Sequence, residues 1–207
     1  MLIAGAGGHA LEVLDILITT NPEAKLFFLD ESGGGGLFQD KYPVIQTETE
    51  ILKAFEEDPR FVLGTGKPAT RKKLHGKLIC LGGKPIYLRG QGCVISPSSD
   101  CSEADIFNLC FIGPNTRIGI GCLINSGAQI HHEVVLGEFT EISPASVLLG
   151  RVKIGSFCFI GANSTILPGV RIGNNVTIGA GTVVTRDVPD SATVVGVPGR
   201  VIKVLKS

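Results

Sequence analysis

From Ile112 to Val184 an aliphatic residue returns at every sixth position without a slip: Ile112, Ile118, Ile124, Ile130, Leu136, Ile142, Leu148, Ile154, Ile160, Ile166, Ile172, Ile178 and Val184. A second row lies four residues behind each of these, from Thr116, Cys122 and Ala128 to Val176 and Thr182, and every member is small or β-branched. Residues two apart on a strand share a face, so each small residue and the aliphatic residue two places later point the same way. A helix would need a period of 3.6. A strict period of six is the signature of a hexapeptide β-helix, in which a chain that turns at every sixth residue closes a triangular coil after three turns.

That spacing predicts three ladders. Ile112, Ile130, Leu148, Ile166 and Val184 should stack on one face, Ile118, Leu136, Ile154 and Ile172 on a second, and Ile124, Ile142, Ile160 and Ile178 on a third, with coils roughly 4.8 Å apart. Glycine follows the aliphatic residue at Gly113, Gly119, Gly137, Gly155, Gly161, Gly173 and Gly179. A chain leaving a short strand there needs either positive φ or a close backbone approach.

The first half is patterned differently. Leu2-Ile3-Ala4 reads as a strand, Gly5 to Ala10 as a glycine-rich turn, Leu11 to Ile18 as a helix, and Lys25 to Leu29 as a second strand ending in Asp30-Glu31. Gly33 to Gly36 reads as a flexible surface loop, Thr49 to Glu57 as a helix, Phe61 to Leu63 as a strand, Pro68 to Leu78 as a basic-faced helix with His75 on its surface, and Ile86 to Leu88 as a fourth strand. Alternating strands and helices imply a small parallel sheet. The expected architecture is therefore an α/β N-terminal domain, Rossmann-like, over residues 1–90, followed by an all-β parallel β-helix over 91–207, with Asp100 to Cys110 as an irregular first coil.

Composition narrows the function classes. The 207 residues carry 19 basic and 19 acidic side chains, so no broad cationic footprint for nucleic acid is present. No apolar run reaches the length of a membrane span, and the chain starts directly in an apolar strand without a basic leader. A cytoplasmic protein is expected. The six cysteines form no Cys-x-x-Cys pair, and Cys110, Cys122 and Cys158 fall in the inward small-residue phase, which suits reduced core thiols and neither a disulfide frame nor a metal site. His131 and His132 are adjacent, and neighbours on an extended chain face opposite ways. No metal is expected.

Gly5-Ala6-Gly7-Gly8-His9-Ala10 matches Gly-x-Gly-x-x-Ala, with Asp30 twenty residues beyond Ala10, formally the dinucleotide fingerprint. A full dinucleotide fold needs a second half, for which fewer than 95 residues leave too little chain. Half a site suggests a mononucleotide: amides of Gly7 and Gly8 would meet phosphate oxygens, and Asp30 or Glu31 could accept from a ribose or base. A tight turn without ligand is the competing reading.

Taken together, Gly5-Ala6-Gly7-Gly8-His9, Phe28-Leu29-Asp30-Glu31, Ile130-His131-His132-Glu133-Val134-Val135-Leu136-Gly137-Glu138-Phe139 and Val195-Gly196-Val197-Pro198-Gly199-Arg200 resemble the sialic acid O-acetyltransferase (NeuD) family and its relatives, the PglD-like UDP-4-amino-sugar N-acetyltransferases. The resemblance covers almost the whole chain. It implies a left-handed coil, an exception to the right-handed crossover rule, and a homotrimer with acetyl-CoA between neighbouring β-helices. Apolar residues on the outer faces, Val135, Leu149 and Leu167, fit such packing. The resemblance further implies His132 as catalytic base with Glu133 beside it and Asn125 nearby. It places nucleotide-sugar contacts on Gly7, Gly8, His9, Asp30 and Glu31, with Gly66 and Lys67 on a facing loop, and acetyl-CoA contacts on Gly150, Ala162 and Ala180. Arg200 and Lys203 could meet coenzyme phosphates or belong to a solvated tail.

The chain departs from that family where His-Ile-x-Pro-Gly is usual and Glu141-Ile142-Ser143-Pro144-Ala145 stands. An ionised carboxylate cannot donate a hydrogen bond, so Glu141 in the cofactor-binding slot must either be protonated by desolvation or turn to the cationic amine of the sugar, the outcome favoured by an amino-sugar acceptor. The expected activity is N-acetylation of a UDP-linked 4-amino-deoxysugar by direct transfer from acetyl-CoA, with the Gly150 N–H as oxyanion donor. O-acetylation of a sialic-acid-like sugar and a catalytically inactive nucleotide-sugar-binding trimer are the alternatives.

Overall fold

The structure is a computed structural model that describes residues 1–31, 33 and 35–204. Two compact units divide it: Met1–Gly66 with Thr70–Leu88, and Lys67–Ala69 with the chain from Arg89 onward.

In the first unit the order is β1 (Leu2–Ala4), α1 (Gly8–Thr20), β2 (Phe27–Leu29), β3 (Gly36–Phe38), β4 (Tyr42–Ile45), α2 (Glu48–Glu57), β5 (Arg60–Leu63), α3 (Pro68–Cys80) and β6 (Lys84–Pro85). The sheet runs β3-β4-β2-β1-β5-β6, parallel except for the β3–β4 hairpin. Its central strand β1 is wholly apolar and buried, and Phe28–Leu29 and Phe61–Leu63 beside it are too, as strands covered on both faces must be. Thr47 and Glu50 close a reciprocal capping box at the start of α2, which satisfies two amides the helix leaves open.

Three expectations change here. Gly36 opens the hairpin and does not belong to a plain loop; Gly34, also in that expected loop, lies outside the described residues. The hairpin turns through Gln39 and Asp40, both at φ 52°, the double left-handed geometry usually flagged by Asn-Gly, and without glycine the sequence gives no such signal. In α3, Arg71 and His75 are buried: a guanidinium nitrogen of Arg71 donates to the Thr65 carbonyl at 2.9 Å, and His75 packs edge-on against Phe61 and lies 3.5 Å from the Tyr87 hydroxyl. The fourth strand is Lys84–Pro85, slightly before the expected Ile86–Leu88.

The second unit is the β-helix, and its three ladders run in the predicted register. Ile112, Ile130, Leu148, Ile166 and Val184 pair in sequence on the first face, Ile118, Leu136, Ile154 and Ile172 on the second, and Ile124, Ile142, Ile160 and Ile178 on the third. The core extends beyond the visible repeat, because Ile95 joins Ile112, Ile106 joins Ile124 and Val194 joins Ile178. Most polar members of the inward row bond to a neighbouring coil, although the buried Thr182 hydroxyl has no partner among the described residues. Thr116, Thr140 and Ser146 donate to the carbonyls of His131, Gly155 and Gly161 at 2.9–3.0 Å.

The corners follow a second periodic rule. Positive φ recurs at every sixth residue from Leu109 to Gly181, three places after each aliphatic. Glycine or asparagine fills seven of these positions, but Leu109, Glu133, Phe139, Ala145, Arg151 and Phe157 also adopt it, at a steric cost of about 1–2 kcal/mol each. The glycines that directly follow the aliphatics serve the other purpose. A Cβ on Gly113 or Gly137 would lie 2.8 or 2.5 Å from the backbone of the next coil.

Candidate active site

His132 and Glu133 sit on the corner that joins the first face (Gln129–Ile130) to the second (Val135–Leu136). The corner is fixed to the coils on either side: the Glu133 N–H donates to the Pro114 carbonyl and the Arg151 N–H to the His132 carbonyl, each at 2.9 Å. Because Glu133 is in the left-handed region at φ 59°, its side chain folds back beside the histidine, and its Oε2 lies 3.0 Å from His132 Nδ1. Both side chains are 51% exposed. With Nδ1–H directed to the carboxylate, Nε2 is the nitrogen left to accept a proton. Gly150, one coil further on at the same corner, is buried, and its N–H reaches no acceptor among the described residues. His131 tilts against Phe111 with ring centroids 5.5 Å apart.

Asn125, Ala162 and Ala180 occupy a different corner, between the third and first faces, so one chain does not bring them to His132. The Asn125 side chain is buried and its Oδ1 accepts from the Ser126 N–H at 2.8 Å. Glu141 lies on the third face, paired between Leu123 and Phe159, 8% exposed, with the Ser143 hydroxyl 3.5 Å from its Oε1.

Sequence reasoning missed the second face. Its outward row is Arg117, Val135, Lys153 and Arg171, in register, and Arg151 stands on the adjoining corner. Among the described residues none of these four cations has an ion-pair partner. The other two faces carry no cation in the matching rows, which read Asp105, Leu123, Glu141, Phe159 and Val94, Phe111, Gln129, Val147. Arg117, Arg151 and Lys153 line a hollow of about 520 Å³ with Asn115, Glu133 and Val135. The signal was present as cations at Arg117, Lys153 and Arg171, spaced by multiples of the 18-residue coil period and interrupted only by Val135.

In the first unit Gly7 caps α1 without any side-chain bond, and a Cβ on Gly7 or Gly8 would meet nothing within 4 Å. Protein packing thus does not require those glycines, in contrast to Gly5, whose Cβ would strike the Gly64 carbonyl at 2.6 Å. His9 Nδ1 lies 3.4 Å from Glu12. Asp30 accepts from the Gly33 N–H at 3.0 Å. Glu31 is engaged by Lys77 at 2.6 Å, and Lys77 also holds Glu48 at 2.8 Å; the two carboxylates raise the lysine above its ordinary value. Gly66 belongs to this unit, whereas Lys67 groups with the second. Among the described residues no cluster of three or more metal-ligating side chains occurs, and no helix is long and apolar enough to cross a membrane.

Comparison with known proteins agrees with this construction. Residues 1–78 match the PglD N-terminal domain family, and residues 151–186 match the bacterial transferase hexapeptide family. PerB from Caulobacter crescentus, solved with CoA and GDP-perosamine, is 30% identical, with 98% of this chain and 96% of that one covered at a TM-score of 0.87. The acetyltransferase domain of PglB from Neisseria gonorrhoeae FA1090 is 27% identical, with 97% and 98% covered at a TM-score of 0.87, and a structure of the same domain holds acetyl coenzyme A. A shared α/β unit followed by hexapeptide coils, aligned nearly end to end at this identity, places the chain in the family of PglD-like nucleotide amino-sugar acetyltransferases.

Proposed function

We propose that this protein transfers the acetyl group of acetyl-CoA to the amine of a nucleotide-linked amino-sugar, with His132 as general base, in a left-handed homotrimer whose sites lie between neighbouring chains. The observation that carries the reading is the His132–Glu133 pair at 3.0 Å, beside unpaired cations and a buried, unspent Gly150 amide. PerB, which binds CoA and GDP-perosamine, and the PglB domain, which binds acetyl coenzyme A, support the substrate class.

In this mechanism the amine nitrogen attacks the thioester carbonyl carbon as its proton passes to His132 Nε2. Glu133 holds the ring through Nδ1 and stabilises the imidazolium. The Gly150 N–H receives the oxyanion. When the C–S bond breaks, the proton on Nε2 goes to the departing thiolate, so the histidine returns to its starting state. Cys101, Cys110, Cys122 and Cys158 are buried, and neither the exposed Cys80 nor the half-buried Cys93 stands on the His132 corner, so transfer is direct, without an acyl-enzyme. The cations of the second face offer a counter-charge to diphosphate, which both substrates contain, and Gly7 and Gly8 offer open amides to the nucleotide.

The test is thiol release from acetyl-CoA in the presence of UDP- and GDP-linked 4-amino-sugars and of free sialic acids. Turnover confined to a nucleotide amino-sugar is expected; turnover of a sialic acid alone would move the activity to O-acetylation, and binding of nucleotide sugar with no thiol release would leave an inactive binding protein.

A further inference from the structure

We infer that Gly150 is a positioning residue for His132: its missing side chain is the seat of the imidazole, a role separate from hydrogen bonding by its amide. His132 and Gly150 hold the same corner position in successive coils, in a column that reads Pro114, His132, Gly150, Pro168. A Cβ built on Gly150 would fall 2.3 Å from His132 Nε2, 2.4 Å from Cε1 and 3.1 Å from Cδ2. All three nearest neighbours are therefore atoms of one ring, and the nitrogen nearest of all is the one assigned to take the proton.

The usual reasons for glycine do not apply at this position. Gly150 is not among the residues with positive φ, so alanine can adopt its backbone conformation without strain. Nor is any backbone atom among the three nearest to that Cβ, in contrast to Gly113, Gly137 and Gly161, whose Cβ atoms would meet the backbone of the next coil at 2.5–2.8 Å. The group that would have to yield is a half-exposed side chain on a corner, which can swing away at little cost to the fold. Glycine here thus lets the ring lie flat against the next coil while Nδ1 stays on Glu133, and the two contacts together set the direction of Nε2. A displacement of about 1 Å at a reacting atom can cost 10²-fold in rate.

Gly150→Ala separates this role from oxyanion binding, because alanine keeps the N–H and removes only the seat. The kinetic arm rests on the proposed acetyl transfer. There, Gly150→Ala should lower kcat by about 10²-fold, with the KM for acetyl-CoA nearly unchanged, and in the His132→Ala background the same substitution should cost no more than about twofold, since a residue that acts only through the ring has nothing left to act on. The second arm needs no substrate: the ring ¹⁵N resonances of His132 should shift in Gly150→Ala as the tautomer held by Glu133 is released, while the melting temperature stays near that of the parent. An equal loss from Gly150→Ala with and without His132 would overturn the inference, as would unmoved ring resonances. If no acceptor is turned over at all, the acetyl-transfer reading fails while the resonances still decide the role of Gly150.

Discussion

His131 and His132 are adjacent, but the structure gives them different work. His131 lies against Phe111, and its N–H donates to the Leu148 carbonyl, so its ring packs on the first face. His132 has the carboxylate partner and the open nitrogen. His132→Ala should therefore lower kcat by about 10² to 10⁴-fold, the range for loss of a positioned base, with acetyl-CoA affinity little changed, and His131→Ala should stay close to the parent. Steady-state kinetics in the opposite order would transfer the base to His131. The pair was legible through the family resemblance, which implied His132 with Glu133 beside it; the repeat by itself put the two residues only at a corner. Glu31 shows the limit: its ion pair with Lys77 crosses from the end of β2 to α3, a contact set by tertiary packing that no local pattern encodes. The buried Arg71 and His75 are the same kind of case, polar residues on an apparently basic helix that find partners only once α3 packs against β5 and its loop.

At the level of strands, legibility follows the spacing. Wherever coils are 18 residues apart, ladder partners could be read directly, down to Ile142 against Ile160. At the ends the interval changes: Ile95 meets Ile112 after 17 residues, and Ile178 meets Val194 after 16, so coils shortened by one and two residues hide strands that carry the same core. The inward row makes a separate prediction. Cys101, Cys110, Cys122 and Cys158 are buried, Cys93 is partly so and Cys80 is exposed. Burial pushes the Cys110 thiol up to about 12 and the Cys158 thiol up to about 11. A thiol reagent at pH 8 should modify Cys80 rapidly and Cys93 slowly, with the other four protected until the chain unfolds; rapid modification of Cys158 would reopen a covalent mechanism. The same shifts set a pH dependence. Below the ordinary thiol value of about 8.5 folded and unfolded chains both keep these protons. Above it the unfolded chain releases them while the folded one holds on, so denaturant midpoints should fall as pH rises from there toward 11 to 12.

For the whole molecule the decisive fact is that, Glu141 on the third face aside, the site residues expected on the β-helix stand on two corners of one triangle. His132, Glu133 and Gly150 lie at one end of the first face, and Asn125, Ala162 and Ala180 at the other. That face carries Val94, Phe111, Val147 and Val183 outward, the most apolar of the three outer rows, although Leu167, expected outside, packs partly against the core. If copies pack around a three-fold axis through this face, each His132 corner meets the Asn125 corner of its neighbour, a heterologous contact that closes into a ring. A monomer would then contain both halves of a site and no complete one. This yields a test that sedimentation alone cannot provide. His132→Ala should inactivate every site through one corner, and Ala162→Arg should block every site through the other by projecting a long cation into the cofactor cleft. Each variant alone should be inactive, but when the two are unfolded and refolded together at equal concentrations, a site is intact whenever a His132 corner from the second variant meets an Ala162 corner from the first, which random assembly makes true for about a quarter of sites. Recovery of activity near that fraction requires that neighbouring chains share the site. Absence of recovery, with the mixed oligomer confirmed by mass, would place the whole site within a single chain and remove the reason for a trimer.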